Sequence, residues 1–584
     1  MRKRRYLTSL FPPTYRLVGI CVVVGVCGAF AALLFDGAVE LAQKLLLTGI
    51  AGYHPPAVGV LEPMLEWPGW DSRWWFPLVT TLGGLLGGIL VYSLAPEAEG
   101  HGTDAAIAAY HEKGGLIRGR VPPIKAIASA ITIGSGGVAG KEGPTAQITV
   151  GMGAVLASRF GLRGQERRIV LLASMAGGLA AIFRAPLGMA IFAVEILYSG
   201  MVFESEALIY TVVAAVTAYA VHGFFVGWSP VFAIPGGLTF HDPLSLLVYA
   251  ALGVAAGLFG ALLPTIFYRV RDLFHALPGP PHVKPAVGGL LLGLLAVAFP
   301  PILGTGYGWV ELALAGKLSL GLLLALLLLK GPAMSLTIGS GGSGGVFGPT
   351  VVIGAMLGGV AGYLVEHWLP GLEISGASLV LVGMAALFAG AARTPISTLI
   401  MVAEMTGGYG LIVPAMLANV LSFMVQRSLT EKARYPTLYV SQVPTREDSP
   451  AHRGVLVRRA LRLLEDGQID PADVPLPRLV SLLRYGEPVP VAQSGAMLVS
   501  VTVEKRSELA DRTIAETLGK LSGTTAVAVL RGSELLVPRG PTRLREGDQL
   551  IAVANAAGLE QLRRLAAARP DLPVGSRAGA DSVS

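Results

Sequence analysis

One stretch limits what this chain can fold into more than any other. Residues Gly134 to Pro144 read GSGGVAGKEGP, placing the charged pair Lys141–Glu142 in a glycine-rich break between apolar runs. The flanks, Ala126 to Ile133 and Ile148 to Ala157, carry no charge. A carboxylate in such surroundings is costly at membrane depth unless it has a task. The stretch also recurs: Gly339 to Thr350, GSGGSGGVFGPT, aligns without gaps on Gly134 to Thr145 at an offset of 205, with eight of the twelve positions identical. In both copies a glycine-rich turn runs into Gly-Pro-Thr, and proline is favoured just inside a helix start because its missing N–H is not needed there. Two helix N-termini are therefore expected, each preceded by pliant backbone. Free N–H groups and the positive end of the helix dipole make each copy half of an anion site. An inverted repeat that brought the halves together would hold one dehydrated anion at mid-membrane. For a single copy, close helix packing through glycine competes with this reading; two copies, with Glu142 in one of them, favour the anion. Gly339 to Gly344 also fits GxGxxG, and Gly140-Lys141 resembles part of a phosphate loop. Glu142 stands where that loop needs Ser or Thr, however, and no βαβ unit surrounds either copy.

Composition fixes the surroundings of these motifs. With 53% hydrophobic and 14% charged residues over 584 positions, and a mean hydropathy of +0.62, the chain reads as a polytopic α-helical membrane protein with a soluble appendage. Leu17 to Phe35, Leu78 to Ala95, Leu244 to Tyr268 and Ala286 to Leu303 are uncharged and long enough to span or nearly span a bilayer. The 76 glycines, many inside such runs, point to broken, close-packed helices. MRKRRY at the start precedes an apolar run too long for a signal peptide, so a retained first helix with a cytoplasmic N-terminus is expected. The net charge of +7 is accounted for by cytoplasmic loops such as Arg159 to Arg168, and no aromatic-interleaved basic patch speaks for nucleic acid. Cys21 and Cys27, the two cysteines, share one helix and offer neither a disulfide framework nor a metal site. No nucleophile, base and acid stand at a spacing that catalysis requires, so neither an enzyme nor a cofactor is expected.

A second pair of matching segments supports duplication. FRAPLGMAIFAVEI from Phe183 and RTPISTLIMVAEM from Arg393 each place an arginine two residues before a proline, Pro186 or Pro395, and a glutamate nine residues after it, Glu195 or Glu404. Capping or loop contacts are the expected role of both glutamates. The membrane domain is read as residues 1–440, followed by a linker over 441–495 with a short amphipathic helix at Leu456 to Gly467 and five prolines between Asp470 and Pro490. A small α+β domain over 496–569 is expected to hold strands at Met497–Glu504, Thr525–Leu530 and Gln549–Asn555 and helices at Ala510–Lys520 and Leu559–Ala567. Residues 570–584 read as a disordered tail.

Taken together, GKEGP at Gly140 to Pro144, GVFGP at Gly345 to Pro349 and the two proline-to-glutamate helices resemble the CLC chloride channel and transporter family, over roughly residues 15 to 442. The resemblance implies an inverted repeat of broken helices, a homodimer with one anion pathway per subunit, and both termini on the cytoplasmic side of the cell membrane. It implies that Glu142 is the gating glutamate, competing with chloride for the outer site and accepting protons from outside. The amides of Val346 and Phe347 match those that coordinate the anion, in motifs shaped by Gly140, Lys141, Gly143 and Gly345. Tyr439, in TLYVSQV, matches the tyrosine whose hydroxyl faces the central anion. Two departures stand out. GHGTD from Gly100 to Asp104 puts His101 where the family's serine faces the anion, either to donate through its ring or to turn away and pack. The inner proton position, which is a glutamate in many coupled members, is Ile196 here.

The C-terminal stretch, with RTIAETL at Arg512 to Leu518, VPRG at Val537 to Gly540 and EGD at Glu546 to Asp548, resembles the TrkA-C domain. That resemblance implies a cytoplasmic module that dimerises and either binds a small regulatory ligand or only stabilises the dimer. The leading functional expectation is chloride/proton antiport gated by Glu142. A passive gated chloride channel, favoured by Ile196, is the alternative, and a membrane sensor signalling through the TrkA-C-like module is a third reading.

Overall fold

The computed structural model of the protein describes residues 13–56, 58–59, 69–232, 234, 238–372, 374–452, 489–491, 496–504, 507–521, 523–531 and 534–566. The amphipathic helix expected at Leu456 to Gly467 and the tail over 570–584 lie outside them. Two compact units result, Met1–Thr445 and Arg446–Ser584.

The first unit is helical throughout. Its first half runs α1 (Pro13–Gln43), α2 (Trp70–Arg73), α3 (Trp75–Leu94), α4 (Thr103–His111), α5 (Val121–Gly134), α6 (Glu142–Arg159), α7 (Gly164–Phe183), α8 (Pro186–Glu195) and α9 (Leu208–Val226). The second half runs α10 (Ser245–Ala276), α11 (Lys284–Ala298), α12 (Tyr307–Leu314), α13 (Leu320–Ile338), α14 (Phe347–Trp368), α15 (Gly376–Ala392), α16 (Pro395–Thr406) and α17 (Ile412–Thr430). The order α3 to α9 recurs as α11 to α17. Among the described residues eight helices are long and apolar enough to cross a membrane, whereas α5, α8, α15 and α16 are apolar but shorter. Short apolar helices cannot span; they end inside the protein, where their backbone groups must find partners.

The duplicated proline-to-glutamate segments show how this is done. Arg184 and Arg393 both take left-handed conformations, with φ of 52° and 56°, and stop α7 and α15. The prolines then open α8 and α16, and each glutamate caps the other helix. Glu195 at the end of α8 accepts from the amides of Ile396 (3.2 Å) and Ser397 (2.8 Å) at the start of α16. Glu404 on α16 accepts from Leu187 (3.1 Å) and Gly188 (2.8 Å) at the start of α8. An anionic group at a helix N-terminus satisfies its free donors and opposes its dipole. The two helices thus lie antiparallel, each closed by the other, as an inverted repeat requires.

The second unit is a five-stranded antiparallel sheet of order β1-β2-β5-β3-β4, with β1 (Val489–Val491), β2 (Ala496–Thr502), β3 (Thr524–Arg531), β4 (Glu534–Leu536) and β5 (Gln549–Ala554). Helices α18 (Ile514–Thr517) and α19 (Ala556–Ala566) accompany it, and Val499, Leu518, Val529, Leu550 and Leu562 fill the core. The helix expected from Ala510 to Lys520 is shorter. Asp511 sits at φ 61°, which breaks helical geometry, and the helix starts only where Thr513 and Glu516 form a reciprocal capping box. Strand β1, with Pro490 at its centre, falls in the stretch read as linker; at three residues, it and β4 are too short for alternation to reveal. The buried Asp548 accepts from Arg531 Nε (2.9 Å), Arg531 Nη2 (2.8 Å) and the Arg545 amide (2.7 Å). Burial works to raise its pKa, but these donors outweigh burial and hold the carboxyl below its usual range.

Candidate anion site

Three helices start at one point. Gly140 and Gly345, at equivalent places in the two glycine-rich motifs, form an antiparallel bridge in which each N–H donates to the other's carbonyl, at 2.7 and 2.8 Å. Gly344 N donates to Gly100 O at 3.2 Å, joining the segment ahead of α4 to the same bridge. The starts of α4, α6 and α14 are thereby fixed against one another. Such an approach leaves no room for side chains: a Cβ on Gly345 would stand 2.8 Å from Gly143 N and 2.9 Å from Gly140 O. Gly143 packs against the His101 carbonyl in the same way. The first-turn amides of Glu142, Gly143, Phe347 and Gly348 have no helical carbonyl ahead of them, so they offer donors and partial positive charge to whatever lies between.

What lies there is the Glu142 side chain. It is buried, and its Oε1 accepts a hydrogen bond from the hydroxyl of Tyr307, the first residue of α12. Its Oε2 rests over Gly140 beside the Gly348 amide and has no hydrogen-bond partner among the described residues. Phe232 braces the Tyr307 ring edge-on, at 5.4 Å between centroids. Glu142 and Tyr307 line a cavity of about 720 Å³ together with Asp36, Lys141, Arg184, His222 and Glu311. The Lys141 ammonium points into this cavity and pairs with Asp36 of α1, apart from the amides that its backbone helps to position.

His101 and Tyr439, neither of which lines this cavity, are both buried. Their rings meet edge to face at 5.4 Å, Phe267 flanks His101 at 6.1 Å, and the Tyr439 hydroxyl is within reach of Thr103. His101 Nδ1 has no partner among the described residues. Val346 and Phe347 keep their amides at the start of α14, while the Phe347 ring packs between Phe183 and Phe388 at 4.7 and 4.4 Å. Ile196, fully buried at the end of α8, accepts a bond from Gln442 Nε2 through its carbonyl at 3.0 Å.

Sequence reasoning passed over three residues here. Lys125 is buried on α5 and donates to Ala98 O (3.0 Å) and Gly100 O (2.7 Å); Lys330 is buried on α13 and donates to Ile302 O (2.9 Å) and Gly304 O (2.8 Å). Each lysine clamps the loop ahead of a short helix, α4 or α12, and the two stand 205 residues apart, the offset of the glycine motifs. Tyr307 is the third. Gly304 to Tyr307, GTGY, repeats the arrangement of Gly100 to Thr103, GHGT, so an alignment of the halves carried past the motifs would have marked all three.

Fold and site define a membrane-embedded transport domain made of two inverted halves. The chain belongs to the voltage gated chloride channel family: that family's model matches residues 83–427, and a TrkA-C domain model matches residues 498–567. It is 30% identical over 438 residues to the H(+)/Cl(-) exchange transporter ClcA of Yersinia pseudotuberculosis serotype IB (strain PB1/+), which covers 74% of this chain and 89% of the relative. To the protein of the same name from Salmonella typhimurium (strain LT2) it is 28% identical over 440 residues, 74% of this chain and 90% of the relative. Among solved structures, a slow cyanobacterial Cl-/H+ antiporter shares the fold at a TM-score of 0.64 and 22% identity, over 78% of this chain and 99% of the other. A CLC-type fluoride/proton antiporter does so at 0.61 and 20%, over 74% and 98%. The protein is therefore an integral membrane protein with a small C-terminal module.

Proposed function

We propose that the membrane domain is a chloride/proton antiporter, not an enzyme, with Glu142 as its gate and proton acceptor. One observation carries this reading: the Glu142 carboxylate lies buried among helix starts that suit an anion, and it lines a wide cavity whose walls also carry charged side chains. A carboxylate and a dehydrated chloride compete for the same amides. When Glu142 takes a proton from the cavity side, it loses the charge that holds it there and chloride can replace it. When it gives the proton up on the other side, it returns and displaces the anion. Proton and chloride then cross in opposite directions. The exchange transporters among the relatives support this over a passive channel or a sensor.

In this reading the anion is held by the amides of Val346 and Phe347, with Gly140, Gly143 and Gly345 giving the backbone its close approach. The Tyr439 hydroxyl and His101 Nδ1 face it from the inner side. Lys141 acts earlier, drawing anions into the cavity. Ile196 leaves the inner proton position without a carboxylate, so protons take another route across that half. The protein works as a homodimer in a lipid bilayer, each subunit with its own pathway and both termini cytoplasmic. The module over 496–569, joined through the linker over 441–495, regulates transport in response to a small ligand.

The test is reconstitution into liposomes with chloride efflux and proton movement followed together. Wild type should drive uphill proton movement from a chloride gradient. Glu142→Gln should keep chloride flux, because the amides are untouched, and abolish proton flux. A wild type that collapses the chloride gradient while moving no protons at any pH would leave the passive channel in its place.

A further inference from the structure

A proton that reaches Glu142 from the cavity must leave toward the opposite face, and Ile196 offers it nothing there. Another carboxylate stands close by. After α8 the chain passes Ile196, Leu197 and Tyr198 and folds back, so that the Glu204 amide donates to Val194 O at 3.2 Å, within the last turn of α8. Glu204 is fully buried, and its Oε2 accepts a hydrogen bond from the Tyr198 hydroxyl at 2.7 Å. It directly precedes the short 3-10 turn Ser205–Ala207 that leads into α9, and its side chain makes no cap bond to that turn.

The groups around it are ones that handle protons. The Tyr198 ring packs edge-on against His111 at 5.5 Å, and His111 packs in turn on Tyr110 at 5.1 Å. His111 Nε2 is 3.0 Å from Leu197 O, the Tyr110 hydroxyl is near enough to Glu204 to interact with it, and Arg168 of α7 donates to Tyr110 O at 3.2 Å. Tyr110 and His111 are the last two residues of α4, whose first residue, Thr103, stands at the anion site. At 1.5 Å per residue this helix is about 13 Å long, so it leads from the cluster to the helix starts at the anion site. The far end of the same path is tied in as well: Ser199 N donates to Val443 O at 2.9 Å, in the segment that carries Tyr439. Water is close on the other side, since Ser205 and Glu206 are exposed.

We propose that Glu204, hydrogen-bonded to Tyr198, is the carboxylate that exchanges protons with water on the inner face and passes them along α4 to and from Glu142. It rests on the antiport reading above. Only O–H bonds and, at His101, an N–H bond are made and broken: Glu204 releases to water the proton it received from the gate, and the cycle also runs in reverse. The length of α4, about 13 Å, has to be bridged by intervening carriers, and the unpartnered His101 Nδ1 stands just ahead of its start.

Full-length protein in liposomes tests the assignment through the ratio of chloride to proton turnover. Glu204→Gln should leave chloride turnover within about threefold of wild type and lower proton turnover at least tenfold. Glu204→Asp should restore part of the proton flux. Tyr198→Phe should slow protons more than chloride, and it carries the test alone if Glu204→Gln does not fold. An unchanged ratio in Glu204→Gln, or in Tyr198→Phe when only that variant folds, overturns the proposal and leaves Glu204 as an anchor for the turn after α8. Equal loss of both fluxes in a folded Glu204→Gln protein does the same. A wild type without proton movement refutes the antiport reading itself, and is told apart because no variant then differs from it in coupling.

Discussion

Substituting Gly345 by Ala probes the junction on which the anion site depends. The added methyl would stand 2.8 Å from Gly143 N and 2.9 Å from Gly140 O, where ordinary contact begins at 3.4 Å. Both neighbours are backbone atoms, so neither can swing aside; the two motifs must separate by about 0.5 Å. That separation stretches the paired Gly140–Gly345 bonds, now 2.7 and 2.8 Å, to the long edge of the N–H···O range. Overpacking costs about 1–3 kcal/mol. Weakening two buried backbone bonds adds roughly 1 kcal/mol, so a total of about 2–4 kcal/mol is expected. The loss falls on the relative position of the α6 and α14 amides. Chloride affinity, measured by isothermal titration of purified protein, should therefore drop at least tenfold, with a lower melting midpoint. Gly321→Ala on α13 is the control, because nothing lies within 4 Å of its new methyl; it should be neutral or stabilise by up to about 1 kcal/mol. If Gly345→Ala binds chloride and melts as wild type does, the bridge does not set the site.

Tyr307→Phe removes a donor to a charged acceptor, worth about 1.5–3 kcal/mol; the gate should leave its closed position more often, and chloride turnover at fixed pH should rise, while an unchanged or slower rate argues against Tyr307 as its latch. Lys330→Met leaves the carbonyls of Ile302 and Gly304 without a donor in a buried place and should destabilise the membrane domain by roughly 2–4 kcal/mol, read as a lower melting midpoint; a neutral result would mean that the loop ahead of α12 needs no clamp. In the module, Asp548→Asn should cost about 1–3 kcal/mol, since Arg531 stays partly solvated. Because the folded Asp548 pKa lies below its unfolded value of about 3.9, its contribution is present above that pH and fades as pH falls through the folded value. Melting of the wild-type module followed from pH 7 to pH 2 should show that loss and Asp548→Asn should lack it; identical profiles would contradict the assignment.

Much of this architecture could be read from the chain because duplication leaves identical letters behind. The twin glycine motifs located two helix starts, and the matched proline-to-glutamate segments identified two helices that begin at their prolines, one ending at Glu195 and the other two residues past Glu404. Residues that act across the fold were harder. Tyr307 reaches Glu142 over 165 positions of sequence, and nothing in its neighbourhood marks it except its kinship with Thr103. Lys125 and Lys330 look like ordinary charges at the edges of apolar runs until the loops they clamp are seen. Glu204 sits in a polar stretch, YSGMVFESE, that reads as an exposed connection, and only the return of the chain onto Val194 buries it. In the module, alternation located β2, β3 and β5, whereas Asp511 cut short a helix that residue propensities alone would have extended.

The crossed carboxylates of α8 and α16 limit how transport can take place. Moving either half of the membrane unit past the other would have to withdraw Glu195 from two amides of α16 and Glu404 from two amides of α8 in the same step. At about 1.5–3 kcal/mol for each bond to a charged group, breaking all four at once is a barrier that few thermal fluctuations would cross. Rocking of one repeat against the other, the usual route to alternating access in transporters built from inverted halves, is thus locked out where the halves meet. What remains free to move is smaller: one side chain, Glu142, at the start of α6. In the proposed antiport, access would therefore change by the swing of the Glu142 carboxylate, with the two halves as the fixed frame in which that swing occurs.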